Sequence, residues 1–162
     1  MIERTLVLLK PDAVQRSLVG RVLSRFEDAG LKIIGMKMIW IDEKFAKIHY
    51  SGIGERHGEK VLKNLVDYIH GGPVIAMVIE GVNSIEVVRK ITGTTYPNEA
   101  LPGTIRGDFC HISRKYANEH DKYVGNLVHA SENKKDADRE ISLWFSADEL
   151  FNYKTVHDIH VI

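Results

Sequence analysis

The chain has 162 residues, with 22 Lys plus Arg against 22 Asp plus Glu, 44% hydrophobic and 27% charged. That is the profile of one globular domain, spanning residues 1–162, large enough to bury a core unaided. Balanced charge argues against a partner drawn by bulk field, such as nucleic acid or an anionic membrane, yet allows a small anionic ligand held by a few local cations. One cysteine, Cys110, excludes an internal disulfide and fits a reducing compartment. No apolar run reaches the ~20 residues of a membrane span, and the N-terminal run is too short for a signal peptide, so a cytoplasmic location is expected.

Thr5 to Leu9 is a run of β-formers that reads as a strand buried on both faces, ended by Pro11, which cannot donate to a ladder. Leu18, Val22 and Phe26 recur at helical spacing, with Gly30 as the stop. Ile34, Met36, Met38 and Trp40 alternate along a second strand. Asp42 then caps a short helix carrying Phe45, Ile48 and His49. Gly52, Gly54 and Gly58 mark a loop, and Val61, Leu62, Leu65, Val66 and Ile69 a further helix. Gly71-Gly72-Pro73 turns the chain into a third strand, Val74 to Ile79, followed by a Ser84-capped helix with Val87, Val88 and Ile91. Gly93, Pro97, Pro102, Gly103 and Gly107 make the stretch from Thr92 to Phe109 a long irregular segment without apolar period, and such loops are often functional. A short strand near Asn126 to His129, a helix from about Asn133 to Phe145 and an arm over about residues 146–162 complete the chain.

A strand–helix–strand unit used twice gives an α+β fold: a ferredoxin-like, four-stranded antiparallel sheet backed by helices on one face, with the Gly/Pro-rich loop attached. Periodicity alone also admits a doubly wound parallel sheet.

No G-x-x-x-x-G-K-[ST] occurs, which removes a Walker-type phosphate loop. Cys110, His111 and His120 share a polar segment, but two of these candidate metal ligands are adjacent and a fourth is missing. Gly125-Asn126-Leu127-Val128-His129-Ala130-Ser131 is more informative. One reading is a polar strand end with Ser131 as helix cap. The other makes His129 a nucleophile, since a neutral imidazole titrates near the operating pH and offers a lone pair to a phosphoryl group. That chemistry needs a carboxylate to fix the ring, for which Glu140 is available, and cations for the moving phosphate, for which Lys10, Arg89 and Arg106 are available.

The blocks Thr5-Leu6-Val7-Leu8-Leu9-Lys10-Pro11-Asp12-Ala13-Val14-Gln15-Arg16, Pro102-Gly103-Thr104-Ile105-Arg106-Gly107-Asp108-Phe109, Asn126-Leu127-Val128-His129-Ala130-Ser131 and Glu140-Ile141-Ser142-Leu143-Trp144-Phe145 resemble the nucleoside diphosphate kinase family, in one order from Thr5 to about Tyr153. The resemblance implies a ferredoxin-like fold and ping-pong exchange of the γ-phosphate between nucleoside triphosphates and diphosphates, with broad base tolerance and Mg²⁺ carried by the nucleotide phosphates. By motif, His129 would be the phosphorylated nucleophile, attacking through its δ nitrogen, and Glu140 would hold its ring. Lys10 would reach phosphates and ribose; Arg89, Thr95 and Arg106 would bind phosphates, Asn126 would contact ribose, and Tyr50 would pack beside the histidine. The resemblance also implies a homo-oligomer, a hexamer in preference to a tetramer, that needs neither membrane nor nucleic acid.

The chain departs from the family pattern in places. The segment between Tyr50 and Gly72-Pro73 is longer, and the aromatic residue that stacks on the base is missing there, with Val61 or His57 falling nearest. Losing that stack forgoes ~1–3 kcal/mol per base, so weaker nucleotide affinity with unchanged chemistry is expected. A polar insert occupies roughly residues 113–124 and reads as a solvated hairpin or helical turn, or else as a cover over the nucleotide or a subunit contact. Ala130 replaces a glycine, and the tail ending His157-Asp158-Ile159-His160-Val161-Ile162 differs from the usual one. Two other functions use the same residues: a phosphocarrier that passes phosphate from His129 to a protein, and a nucleotide-binding module without turnover.

Overall fold

The computed structural model describes residues 1–161. In chain order its elements are β1 (Ile2–Leu9), α1 (Pro11–Gln15), α2 (Val19–Glu27), β2 (Lys32–Ile39), α3 (Glu43–His49), α4 (Ile53–His57), α5 (Glu59–His70), β3 (Val74–Val82), α6 (Ser84–Thr92), α7 (Ile105–Phe109), α8 (Arg114–Glu119), β4 (Val128–Ala130), α9 (Lys134–Trp144) and α10 (Asp158–Val161), with 3₁₀ turns at Pro97–Glu99 and Ala147–Glu149. The strands form one sheet in the order β2-β3-β1-β4, with every neighbouring pair antiparallel. That is the ferredoxin-like arrangement. Among the described residues no helix is long and apolar enough to cross a membrane.

Helices cover both faces of the sheet, not the single face expected. The reason lies in β1 and β3, whose apolar residues occupy both parities. Val7, Leu9, Met77 and Ile79 point to one side and pack with Val22, Phe26 and Val88 of α2 and α6. Leu6, Leu8, Ala76 and Val78 point to the other and pack with Ala46, Val66, Ile69 and Trp144 of α3, α5 and α9.

Two segments read as irregular contain helix. The glycine-flanked stretch after Tyr50 holds α4, entered through Gly52 at φ 80° and left through Gly58 at φ 92°. The Gly/Pro-rich loop ends in α7, where the Thr104 side chain accepts from Gly107 N. The insert contains α8, capped by Ser113.

At the sheet's outer edge, β2 carries a bulge between Ile33 and Gly35. The irregularity frees the Ile34 carbonyl, which accepts from Phe151 N of the C-terminal arm at 2.7 Å, while Tyr153 Oη donates to Ile33 O and Lys32 Nζ donates to Tyr153 O. A Cβ on Gly35 would lie 2.8 Å from Leu150 Cδ2 and 2.9 Å from Glu149 O, so the arm seats only where that residue has no side chain. Beyond the arm, Met36 and Met38 project from β2 and Trp40 from the residue just past its end, at 55%, 60% and 67% exposure. Ile162 lies outside the described residues.

Candidate active site

The site is built where β4 pairs with β1, Leu8 opposite His129. Just before β4 the chain makes a tight three-residue turn, Val128 N bonding back to Asn126 O at 2.7 Å around Leu127 at φ 65°. A buried leucine in that conformation is strained, and the surroundings hold it there. Leu127 N donates to Asp12 Oδ2 at 3.2 Å, and Leu127 O accepts from Lys10 N at 2.8 Å. The turn therefore locks the end of β1 to the start of β4.

His129 is partly buried, its side chain 20% exposed, and its Nε2 lies 2.9 Å from Glu140 Oε2. A carboxylate only accepts, so the Nε2 carries the proton and Nδ1 keeps a free lone pair. Glu140 sits inward on α9, and its Oε2 also accepts from Ser131 Oγ at 2.7 Å. Burial alone raises its pKa, but the hydrogen bond and charge of His129, with lesser help from His49 and Ser131, outweigh burial and bring it down to about 2. Ser131 does not cap α9. Asn133 does, accepting from Asp136 N, while the Ser131 hydroxyl accepts from Leu6 N and donates to the carboxylate.

A ring that the sequence reading left without a role stands behind the histidine. His49 ends α3, is 2% exposed, and meets the His129 ring edge-to-face with centroids 4.7 Å apart. Trp144 Nε1 donates to His49 Nδ1 at 3.2 Å, which puts the proton on Nε2, a buried atom without a partner among the described residues. Burial, followed by the charge of His129, pushes the His49 pKa well below the usual value, so it stays neutral. Tyr50 packs on His49, centroids 4.6 Å apart, with its hydroxyl buried and, among the described residues, unpartnered. His49 is thus the ring against His129, and Tyr50 supports it from one layer further out.

The predicted cations and polar groups divide. Lys10, Thr95, Arg106 and Asn126 come together: Lys10 Nζ donates to Asn126 Oδ1 at 2.8 Å, and Asn126 Nδ2 donates to Thr95 O at 3.0 Å. Arg106 on α7 donates through Nε to Asn126 O, through Nη1 to Gly93 O and through Nη2 to Val128 O, at 3.1, 2.9 and 2.6 Å. Three of its five N–H groups thus brace the backbone and two remain for a ligand. Burial, reinforced by the Arg106 charge and partly offset by Asp12, lowers the Lys10 pKa to about 7. Arg89 is exposed on α6 beside Glu86, Glu132 and Lys134, outside this hydrogen-bonded group. Val61 lies 40% exposed on α5.

Cys110, His111 and His120 do not gather. Cys110 Sγ accepts from Arg16 Nη1 at 3.5 Å, while His120 stacks on Tyr116. Among the described residues the group whose ligand atoms converge is His49, His129 and Glu140, all within 4.8 Å, and there the carboxylate is already engaged by His129 and Ser131.

A free imidazole lone pair beside buried cations suits transfer of an anionic group, the chemistry of a phosphotransferase. A family model described as Nucleoside diphosphate kinase matches residues 3–150. A protein of that name from Borreliella burgdorferi is 50% identical over 156 residues, covering 95% of this chain and 93% of that protein. One from Pyrococcus horikoshii is 52% identical over 157 residues, covering 96% and 93%. A solved transition-state mimic of the nucleoside-diphosphate kinase from Borrelia burgdorferi, with bound vanadate and ADP, aligns at a TM-score of 0.96 and 48% identity over 99% of this chain and 96% of that one. The structure of a Halobacterium salinarum nucleoside diphosphate kinase in complex with CDP aligns at 0.85 and 38% identity, over 98% and 97%. The chain belongs to the nucleoside diphosphate kinase family.

Proposed function

We propose that phosphate passes through His129 in a ping-pong cycle. The lone pair of His129 Nδ1 attacks the γ-phosphorus of a nucleoside triphosphate. The bond to the β–γ bridging oxygen breaks, and the diphosphate leaves with that electron pair. A second nucleoside diphosphate then attacks the phosphorus through a terminal β-phosphate oxygen, and Nδ1 recovers its lone pair. The observation that carries this reading is the 2.9 Å contact between His129 Nε2 and Glu140 Oε2, which leaves Nδ1 as the ring's free nucleophilic atom. As the N–P bond forms the ring gains positive charge, and the Glu140 carboxylate, held ionised, faces that charge.

In this reading Lys10 and the two uncommitted N–H groups of Arg106 take phosphate oxygens, with Arg89 and Thr95 at their margin, and Asn126 takes ribose. The triphosphate enters as its Mg²⁺ complex. The charges on the protein side support that form, since the groups gathered around Asn126 are cationic or neutral and the nearby carboxylate of Asp12 is turned to Leu127 N. Tyr50 supports His49, and Val61 offers only an aliphatic face to a base. The whole chain is read as one domain, cytoplasmic and assembled as a homo-oligomer, hexameric in preference to tetrameric. The exposed Met36, Met38 and Trp40 on the sheet edge suit a subunit contact.

The test uses γ-labelled ATP with Mg²⁺ and no acceptor. Acid-labile, base-stable label on the native protein, absent from His129→Ala and discharged by GDP, is the expected result. Label that no nucleoside diphosphate removes would mark a phosphocarrier, and no label despite ATP binding would mark a binding module.

A further inference from the structure

Lys10 is 5% exposed, and among the described residues it forms no ion pair. Besides Asn126 Oδ1 its ammonium meets the ring of Tyr68, a residue of α5 that is 3% exposed, at 4.9 Å from the ring centroid. The electron-rich face of an aromatic ring is the remaining way to hold a buried ammonium that lacks a carboxylate. The same side chain reaches Asn126, since Tyr68 Oη accepts from Asn126 N at 3.2 Å, with the Asp12 carboxylate beside it. One tyrosine thus fixes both ends of the Lys10–Asn126 hydrogen bond.

Tyr68 is in turn fixed by the insert. Tyr123 stacks on it with centroids 4.2 Å apart and planes 16° from parallel. A ring stacked that closely fills one face, so the ammonium takes the other. Apart from Ala117 of α8, which is fully buried, the insert's remaining side-chain ties are loose: Asp121 and Lys60 pair at 3.6 Å with both side chains exposed, and the Arg114 guanidinium lies 5.8 Å from the Tyr96 ring centroid. Its close packing toward the site passes through Tyr123.

We propose that Tyr68 is a positioning residue for Lys10 and Asn126, and that the 113–124 insert serves the site by clamping Tyr68 through the Tyr123 stack. The proposal rests on the reading that Lys10 and Asn126 bind nucleotide. Tyr68 touches no reacting atom. It sets where the ammonium and the amide stand before nucleotide arrives, so that less ordering is left to binding. The sandwich of ammonium, Tyr68 and Tyr123 also makes the insert a working part of the site rather than a solvated hairpin.

The test measures the dissociation constant of Mg·ADP by calorimetry, with melting temperature as control, in Tyr68→Leu, Tyr123→Leu, Tyr123→Phe, Lys10→Met and the double variant Lys10→Met/Tyr68→Leu. Tyr68→Leu is expected to weaken binding about tenfold, and Tyr123→Leu about three- to fivefold. Tyr123→Phe keeps the stack and should restore most of the loss. In the double variant, Tyr68→Leu should add less than twofold to the effect of Lys10→Met, because a residue acting through Lys10 has nothing left to position. A purely structural tyrosine would instead lower the melting temperature and multiply the two losses, and that result overturns the proposal. Binding by Tyr123→Leu equal to native overturns the role of the insert. If Tyr68→Leu fails to fold, the Leu and Phe variants at Tyr123 decide alone. Native affinity in Lys10→Met refutes the nucleotide reading itself and the proposal with it, and so is distinguishable from failure of the positioning role alone.

Discussion

Replacing Glu140 with glutamine keeps the size and one acceptor oxygen of the side chain and removes its charge. The native carboxyl is held at about 2 against an ordinary 4.5, a difference worth about 3 kcal/mol at ~1.4 kcal/mol per unit of pKa. Because the folded-state value lies below the unfolded one, this contribution is fully present above about pH 4.5 and is lost as pH falls toward 2. Glu140→Gln is therefore expected to lose about 3 kcal/mol at pH 7 relative to the native protein, as an upper figure, since the amide oxygen can still accept from His129. The gap should narrow steadily between pH 4.5 and the acid limit of folding. Urea denaturation at a series of pH values measures it directly. The same charge faces the imidazole as it becomes cationic, so the rate of phosphoenzyme formation should fall by about 10², the kinetic equivalent of roughly 3 kcal/mol. A stability gap that stays constant from pH 7 to pH 3.5, or a phosphorylation rate within threefold of native, would refute the view that Glu140 acts as an ionised partner of His129.

Three other outcomes follow from the packing. Lys10 titrates near 7 when folded and 10.5 when unfolded, so the unfolded chain binds the extra proton between those values and native stability should rise with pH across that window. Lys10→Met should accordingly melt a few degrees above native at pH 7 while losing activity, with the advantage shrinking by pH 10; parallel melting curves at all pH values would contradict this. Trp144→Phe leaves the buried Nδ1 of His49 without its donor and should cost about 2 kcal/mol, seen as a melting temperature lower by ~4–8 °C. Gly107→Ala would drive a Cβ into the backbone of Leu101. It should weaken both thermal stability and Mg·ADP binding, because the turn that must move carries Arg106; an unchanged affinity would show that α7 tolerates displacement.

What the sequence made legible was what is local. The apolar runs of β1 and β3 and the helical spacing of Leu18, Val22 and Phe26 each state their burial within one element, and the repeated strand–helix–strand order states the topology. Both-sided burial was written there too, since Thr5 to Leu9 has no polar parity. The short helices were less visible because their boundaries are glycines and a threonine cap inside segments too brief for a period to show. α4 has five residues and α7 has five. His129, Glu140, Lys10, Asn126 and Arg106 were legible by motif. The deeper parts of the cluster were not, for a physical reason. His49 gains its meaning from Trp144, 95 residues on, and Ser131 from Leu6, 125 residues back. Neither a spacing nor a propensity encodes such a meeting. Tyr68 likewise gains its role only from the insert's Tyr123, which stacks on its ring in the folded chain.

The tie between β1 and β4 also has a temporal consequence. Lys10 and Asn126 lie 116 residues apart in the chain, and β4 precedes α9, which brings the carboxylate. During synthesis, therefore, no shorter nascent chain holds a histidine braced by Glu140, and catalytic competence arrives only once β4 has closed the longest loop in the sheet and α9 has emerged behind it. Until β4 pairs, β1 presents an unpaired edge beside the face that α9 will cover, the form most prone to pair with the wrong strand. A chain cut short before β4 is thus both inert and adhesive, so quality control of this protein amounts to surveillance of its last strand.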